Sequence, residues 1–166
     1  MNHKDTETQR SRLNELSRRV IGFAIEVHRE LGPGLLESAY EEALAYELTQ
    51  AEVHYERQRE MPLNYKGVKL DCGYRLDLVI EGELILELKA SNELLPVHYA
   101  QLLTYLKLEQ RSLGLLINFN EPVLKNGIRR IVSGDLFMGE KPGRSDLVQF
   151  ILLLGASVSL WVTLRL

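Results

Sequence analysis

Asp77, Glu87 and Lys89 are the residues of this chain best placed to do chemistry, because they interrupt two runs that are otherwise built for burial. The stretch that begins at Arg75 reads RLDLVIEGELILELK. Tyr74, Leu76, Leu78 and Ile80 alternate onto one face, with Arg75, Asp77 and Val79 on the other. Leu84, Leu86 and Leu88 likewise share a face, opposite Ile85, Glu87 and Lys89. Glu81, Gly82 and Glu83 form a turn signal between the two runs, so an antiparallel hairpin is predicted. Matching the leucine faces pairs Ile80 with Leu84 and therefore Asp77 with Glu87, because a slip of one residue turns every side chain to the wrong face. A two-residue Glu81-Gly82 loop favours the slipped register unless a bulge restores it. Two acids side by side on a strand pair repel unless a cation lies between them. Magnesium, with manganese as an alternative, fits that position: it takes one or two carboxylates and leaves its other sites to water and phosphate. Lys89, on the same face, would orient a water or offset developing negative charge. The competing reading is a solvated strand face on which Arg75, Glu87 and Lys89 make cross-strand pairs.

The elements that must hold this hairpin follow from periodicity. Leu16, Val20, Phe23, Ala24, Val27 and Leu31 recur at helical spacing over 13–31, and Gly32-Pro33-Gly34 ends that helix, with Gly32 as a left-handed cap. A second helix is predicted over 35–49, where good helix formers dominate. In it Glu37 and Tyr40 lie three apart on one side; alone they read as a first-turn acid and a core aromatic. VHYERQR (53–59) reads as an extended segment, and PLNYKGVKL (62–70) as a hairpin around Lys66-Gly67. Pro96 opens a helix that runs to Glu109 and stacks Gln101 and Tyr105 on one face. LGLLINF (113–119) suits a strand buried on both sides, and GIRRIV (127–132) an edge strand. The fold class is therefore α/β, a mixed central β-sheet flanked by helices.

A chain of 166 residues is one domain in length, and 45% hydrophobic with 26% charged residues is ordinary for a water-soluble protein. One cysteine, Cys72, allows no internal disulfide, and the polar N-terminus has no signal-peptide core, so a cytoplasmic location is expected. A net charge of −3 argues against nucleic-acid binding by bulk charge but leaves room for a local basic groove, for which Arg57, Arg59, Lys66, Lys69 and Arg75 are candidates. The domain is expected to occupy 1–134, followed by a Gly/Pro/charge-rich linker at 135–146 and an apolar extension at 147–166. Residues 147–164 carry no charge, yet Val158, Leu160, Val162, Leu164 and Leu166 alternate as a strand does; a packed element is favoured over a membrane anchor.

Gly34, Glu37 and Tyr40 spell G-x-x-E-x-x-Y, and with Asp77 and Glu87-Leu88-Lys89 further on the chain resembles the GxxExxY protein family, which is assigned to the PD-(D/E)xK nuclease superfamily. The likeness spans roughly 16–132. It implies a restriction-endonuclease-like core in which Asp77 matches the metal-binding aspartate, Glu87 the second acid, Lys89 the lysine, and Glu37 the acid carried on a preceding helix. The backbone carbonyl of Leu88 is then a further metal ligand. Gln101 and Tyr105 resemble the Q-x-x-x-Y feature of the exonuclease-like branch, and they join Tyr40 and Arg75 as expected substrate contacts. The proline that usually precedes the aspartate is replaced by Leu76.

The resemblance implies a magnesium-dependent nuclease that hydrolyses phosphodiester bonds, DNA foremost. Nucleic acid is the expected partner, and a homo-oligomer is compatible with the same reading. The alternative is a catalytically inactive nucleic-acid-binding or assembly module that keeps the nuclease fold.

Overall fold

The structure, a computed structural model, describes residues 3–70 and 74–133. Cys72, the linker expected at 135–146 and the apolar run at 147–166 lie outside the described residues. In chain order the elements are α1 (His3–Leu31), α2 (Glu37–Gln50), β1 (Tyr55–Glu60), β2 (Leu63–Tyr65), β3 (Val68–Leu70), β4 (Arg75–Ile80), β5 (Leu84–Lys89), α3 (Pro96–Leu108), β6 (Leu113–Asn118), α4 (Leu124–Gly127) and β7 (Ile128–Val132). The first helix thus begins ahead of the apolar repeat that announces it, and the one-turn α4 has no counterpart in the sequence pattern.

Five strands form a mixed sheet in the order β1-β4-β5-β6-β7, and β2 and β3 make a separate two-stranded ribbon. Only β5 and β6 are parallel; α3 is the crossover between them. Helices α1 and α2 cover one face of the sheet. Val20, Ala24, Tyr40, Leu44 and Leu48 pack there against Leu78, Leu86, Leu88, Leu115 and Ile117. Helix α3 covers the other face, where Leu102, Tyr105 and Leu106 meet Leu76, Val79, Ile85 and Leu116. Sandwiched this way, every residue of β6 is buried, which explains its unbroken apolar run.

The β4–β5 hairpin adopts the register set by its leucines, Ile80 against Leu84 and Leu78 against Leu86. The turn reaches it by the bulge that this register requires. Glu81 and Gly82 both have positive φ (51° and 64°), and the Glu83 amide donates to the Ile80 carbonyl at 2.9 Å, closing a two-residue turn. Because Ile80 pairs with Leu84, Glu83 is the extra residue.

One expectation is corrected. Leu76 does not share a face with Leu78 and Ile80; it packs with the α3 cluster. The alternation breaks at Asp77, whose Oδ2 accepts the Leu88 amide at 2.8 Å in place of a backbone carbonyl, and the regular ladder ends at Leu78–Leu86. On the other side of β4, Gln58 of β1 has φ 49° and is missing from the pairing between Arg57–Leu78 and Arg59–Leu76. The sheet is therefore irregular on both sides of Asp77.

Gly127 ends α4 with no room for a side chain: a Cβ there would lie 2.4 Å from the backbone oxygen of Asn118. Backbone cannot swing aside as a flexible side chain can. Gly127→Ala should therefore lower the unfolding free energy by about 1–3 kcal/mol, measured by urea denaturation with an unchanged m-value. An unaltered midpoint would show that the α4–β6 contact is looser than described.

Candidate metal and catalytic site

The carboxyl ends of the parallel strands β5 and β6 are tied together by polar contacts. Asn118, fully buried, accepts the Ser91 amide at 3.1 Å through Oδ1 and donates to the Ser91 carbonyl at 2.8 Å through Nδ2, while the Phe119 amide donates to the Lys89 carbonyl at 2.7 Å. These bonds hold the end of β5 and the start of the loop to α3 in one conformation.

Glu87 and Lys89, two residues apart on β5, point to the α3 side of the sheet, and the Lys89 ammonium donates to Glu87 Oε1 at 2.6 Å. Asp77 projects beside them from β4. Glu37, the first residue of α2, reaches over the end of the sheet and accepts the Ala90 amide at 3.1 Å. On α3, Gln101 donates to the Tyr105 hydroxyl at 2.6 Å, and the charges of Glu87, Asp77 and Lys89 are all felt at that hydroxyl. The structure thus brings Glu37, Asp77, Glu87, Leu88, Lys89, Gln101 and Tyr105 to one end of the sheet.

Two residues expected at the site stand apart from it. Tyr40 is fully buried, stacks on Phe119 with ring centroids 4.5 Å apart, and has no surface to offer a substrate. Its hydroxyl donates to the Gly32 carbonyl at 2.7 Å and accepts the Leu35 amide at 3.0 Å. Gly34, between those two, has φ 100°, a conformation open to glycine. The G-x-x-E-x-x-Y spacing therefore reads as a staple: glycine makes the loop, tyrosine ties it down, and Glu37 is presented at the first position of α2. Arg75 is largely exposed and faces Glu60 at 3.8 Å.

Two further residues belong to the neighbourhood and were missed in the sequence. Glu41, one helical turn after Glu37, is buried; it accepts from Arg57 Nε at 2.8 Å and Gln58 Nε2 at 2.7 Å, and its charge acts on Asp77. The i,i+4 spacing from Glu37 was the available signal. His98 lies close enough to Lys89 and Glu37 to feel both charges. Its Nδ1 accepts the Leu95 amide at 3.2 Å, so the proton of the neutral ring sits on Nε2. Burial and the Lys89 charge lower its pKa, against a smaller opposing pull from Glu37.

The electrostatics are those of a buried acidic site with one lysine in it. Burial and the neighbouring Asp77 push the Glu87 carboxyl up to about 7, although the Lys89 hydrogen bond and charge oppose the rise. Burial also raises Asp77, against the Leu88 hydrogen bond and Lys89. Burial alone would lower Lys89, but the hydrogen bond to Glu87 and the charges of Glu87, Glu37 and Asp77 more than offset it and hold the ammonium above its usual range. Glu87 Oε2 is buried and has no hydrogen-bond partner. An orphaned carboxylate oxygen of this kind normally carries a penalty of a few kcal/mol.

A divalent cation between Asp77 and Glu87 would satisfy that oxygen and lower both carboxyl pKa values, so the residues present fit one. Among the described residues no three His, Cys, Asp or Glu side chains form a ready cage. Magnesium keeps several waters and borrows phosphate oxygens, so it needs fewer protein ligands than zinc.

The raised Glu87 pKa has a consequence for stability. The folded carboxyl keeps its proton to about 7, whereas the unfolded one releases it near 4.5, so between these values the folded state binds more protons. Metal-free protein should therefore lose stability as pH rises through that window, by about 3 kcal/mol at 1.36 kcal/mol per pKa unit. Glu87→Gln should remove that slope and be the more stable protein above it. Chemical denaturation across the window checks this; a wild type and variant with parallel pH profiles would contradict it.

The comparisons with known proteins agree with this geometry. The family model of the PD-(D/E)XK nuclease superfamily matches residues 14–131, which include α2, the β4–β5 hairpin and α3. No curated protein and no solved structure matches the chain significantly. With most of its length matched to the family model and its acids and lysine gathered on one strand pair, the chain belongs to the PD-(D/E)XK nuclease superfamily.

Proposed function

We propose that the protein is a metal-dependent nuclease of the GxxExxY branch, hydrolysing phosphodiester bonds in nucleic acid, DNA foremost. The observation that supports this most is the buried, unpartnered Glu87 Oε2 beside Asp77 and Lys89, a local defect that a divalent cation would relieve. Asp77, Glu87 and the Leu88 carbonyl are the residues to hold magnesium or manganese, with Glu37 contributing directly or through water. When bound, such a cation supplies Lewis acidity and lowers the pKa of a coordinated water.

The chain's own residues then have separate tasks. Lys89, kept protonated by its acidic neighbours, orients the attacking water and offsets the negative charge that grows on the phosphate oxygens. It cannot also be the base, because it has no lone pair to give. His98, with its proton on Nε2, can donate to a phosphate oxygen at the mouth of the site. Gln101 and Tyr105 fix the α3 side. Arg75, exposed on β4 and apart from the acidic cluster, is a candidate contact for backbone phosphates that run beyond it.

The alternative reading, a nucleic-acid-binding or assembly module without activity, has one observation in its favour: the acidic net charge of −3. Cleavage separates the two. With magnesium or manganese, wild type should cut single-stranded, duplex or branched DNA. Lys89→Ala should lose about 100- to 1,000-fold in rate while binding DNA and metal normally, and Asp77→Ala should lose cleavage and metal together. Wild type that cuts none of these, and that Asp77→Ala leaves unchanged, would exclude the enzyme.

A further inference from the structure

A cavity of about 460 Å³ opens beside the acidic site, between α3 and the β2–β3 ribbon. Its floor is apolar, with Met61 buried and Leu63 beside it. Tyr74 and Tyr105 form an aromatic corner, ring centroids 6.3 Å apart and tilted by 69°, and Tyr74 is 45% exposed as a residue. Gln101 and Thr104 bring polar groups to the lining. Thr104 has its hydroxyl donating to the Ala100 carbonyl at 2.9 Å, and Gln101 spends one amide hydrogen on Tyr105, leaving its carbonyl oxygen to a ligand. Small-molecule sites have this make-up and size, mostly apolar and aromatic with a few placed polar groups.

Gln101 and Tyr105 lie between the cavity and the acidic site. Both line the cavity, and the Tyr105 hydroxyl feels the charges of Glu87, Asp77 and Lys89. A group that fills the cavity therefore lies close to the acidic site. A polar, flat, aromatic group linked to a phosphate is the ligand that meets both demands: its faces suit the tyrosines, its edge suits Gln101, and its phosphate lies towards the acids. A base paired inside a duplex has neither face free to stack nor its pairing edge free to hydrogen-bond.

We infer that this cavity is a nucleobase pocket that receives one unpaired base of the substrate, with Tyr74 as stacking platform and Gln101 contacting the base edge, so that the protein acts on unpaired nucleotides. The inference rests on the nuclease reading for its biological sense, but the pocket can be tested without cleavage. The probes are a single-stranded DNA oligonucleotide carrying one 2-aminopurine, its RNA counterpart, and a blunt duplex of the same sequence, each added to the full chain in chelator. Base capture changes the 2-aminopurine fluorescence as the base leaves its stack.

Wild type should change the fluorescence of the single strands and leave the duplex signal alone. Tyr74→Ala should weaken single-strand binding roughly 5- to 100-fold, the range set by one base–aromatic stack, with duplex binding unaffected. Thr104→Trp, on an exposed position of α3, should block the cavity and have the same selective effect without removing any group of the acidic site. The DNA and RNA arms tell which sugar the pocket accepts. If both variants bind single strand and duplex as wild type does, or weaken the two equally, charge alone holds the nucleic acid and the pocket inference falls. If wild type captures the base yet cuts nothing with metal, the pocket stands and the nuclease reading falls.

Discussion

A carboxylate buried without a partner next to another carboxylate is the constraint on which this structure turns. Glu87 is buried near the carboxyl end of the central strand β5, with one oxygen held by Lys89 and the other without a hydrogen-bond partner among the described residues. The penalty of burial is tolerated, and the sheet around it is bent to suit. The ladder between β4 and β5 opens at Asp77, whose side chain takes the Leu88 amide that a backbone carbonyl would otherwise take. The same break sends Leu76 to the α3 face and releases Gln58 on β1 to reach Glu41. Local departures from regular structure of this kind cluster at binding centres.

The rest of the architecture serves to present groups to that point. The parallel pair β5–β6 ends where Asn118 and Phe119 tie down Lys89 and Ser91, so the strand end does not fray. Helix α2 delivers Glu37 from above because Tyr40 anchors the preceding loop. Helix α3 delivers Gln101 and Tyr105 from the opposite face. Beside α3 the same two side chains line a cavity, so the acidic site and the cavity share Gln101 and Tyr105 as neighbours. Among the described residues no helix is long and apolar enough to cross a membrane.

Much of this was legible in the sequence, and the parts that were not have a common cause. The hairpin register could be read because period-two alternation admits one pairing, and the bulge at Glu83 follows from combining that pairing with the Glu81-Gly82 turn. The edge position of β7 and the double burial of β6 follow from composition. What could not be read depends on one side chain meeting something distant in the chain. Leu76 changes face because Asp77 bonds to Leu88, a residue on the neighbouring strand. Glu41 is buried because Arg57 and Gln58 arrive from β1. Tyr40 looked like a substrate contact because it belongs to a motif, but its hydroxyl is occupied by Gly32 and Leu35 and its ring by Phe119. The motif's spacing was visible; its purpose, positioning Glu37, needed the loop. Helix α4 is four residues long and leaves no periodic trace.

Calorimetric titration of manganese into the intact chain and into Glu87→Gln tests the central claim most directly. At about pH 8 the wild type should bind with measurable heat, and affinity should fall about tenfold for each pH unit below about 7, because the metal must displace the Glu87 proton. The variant should lose that site and with it the pH dependence. Heat and affinity that are the same in both proteins at every pH would contradict the account, since the buried carboxylate would then have no part in holding a cation.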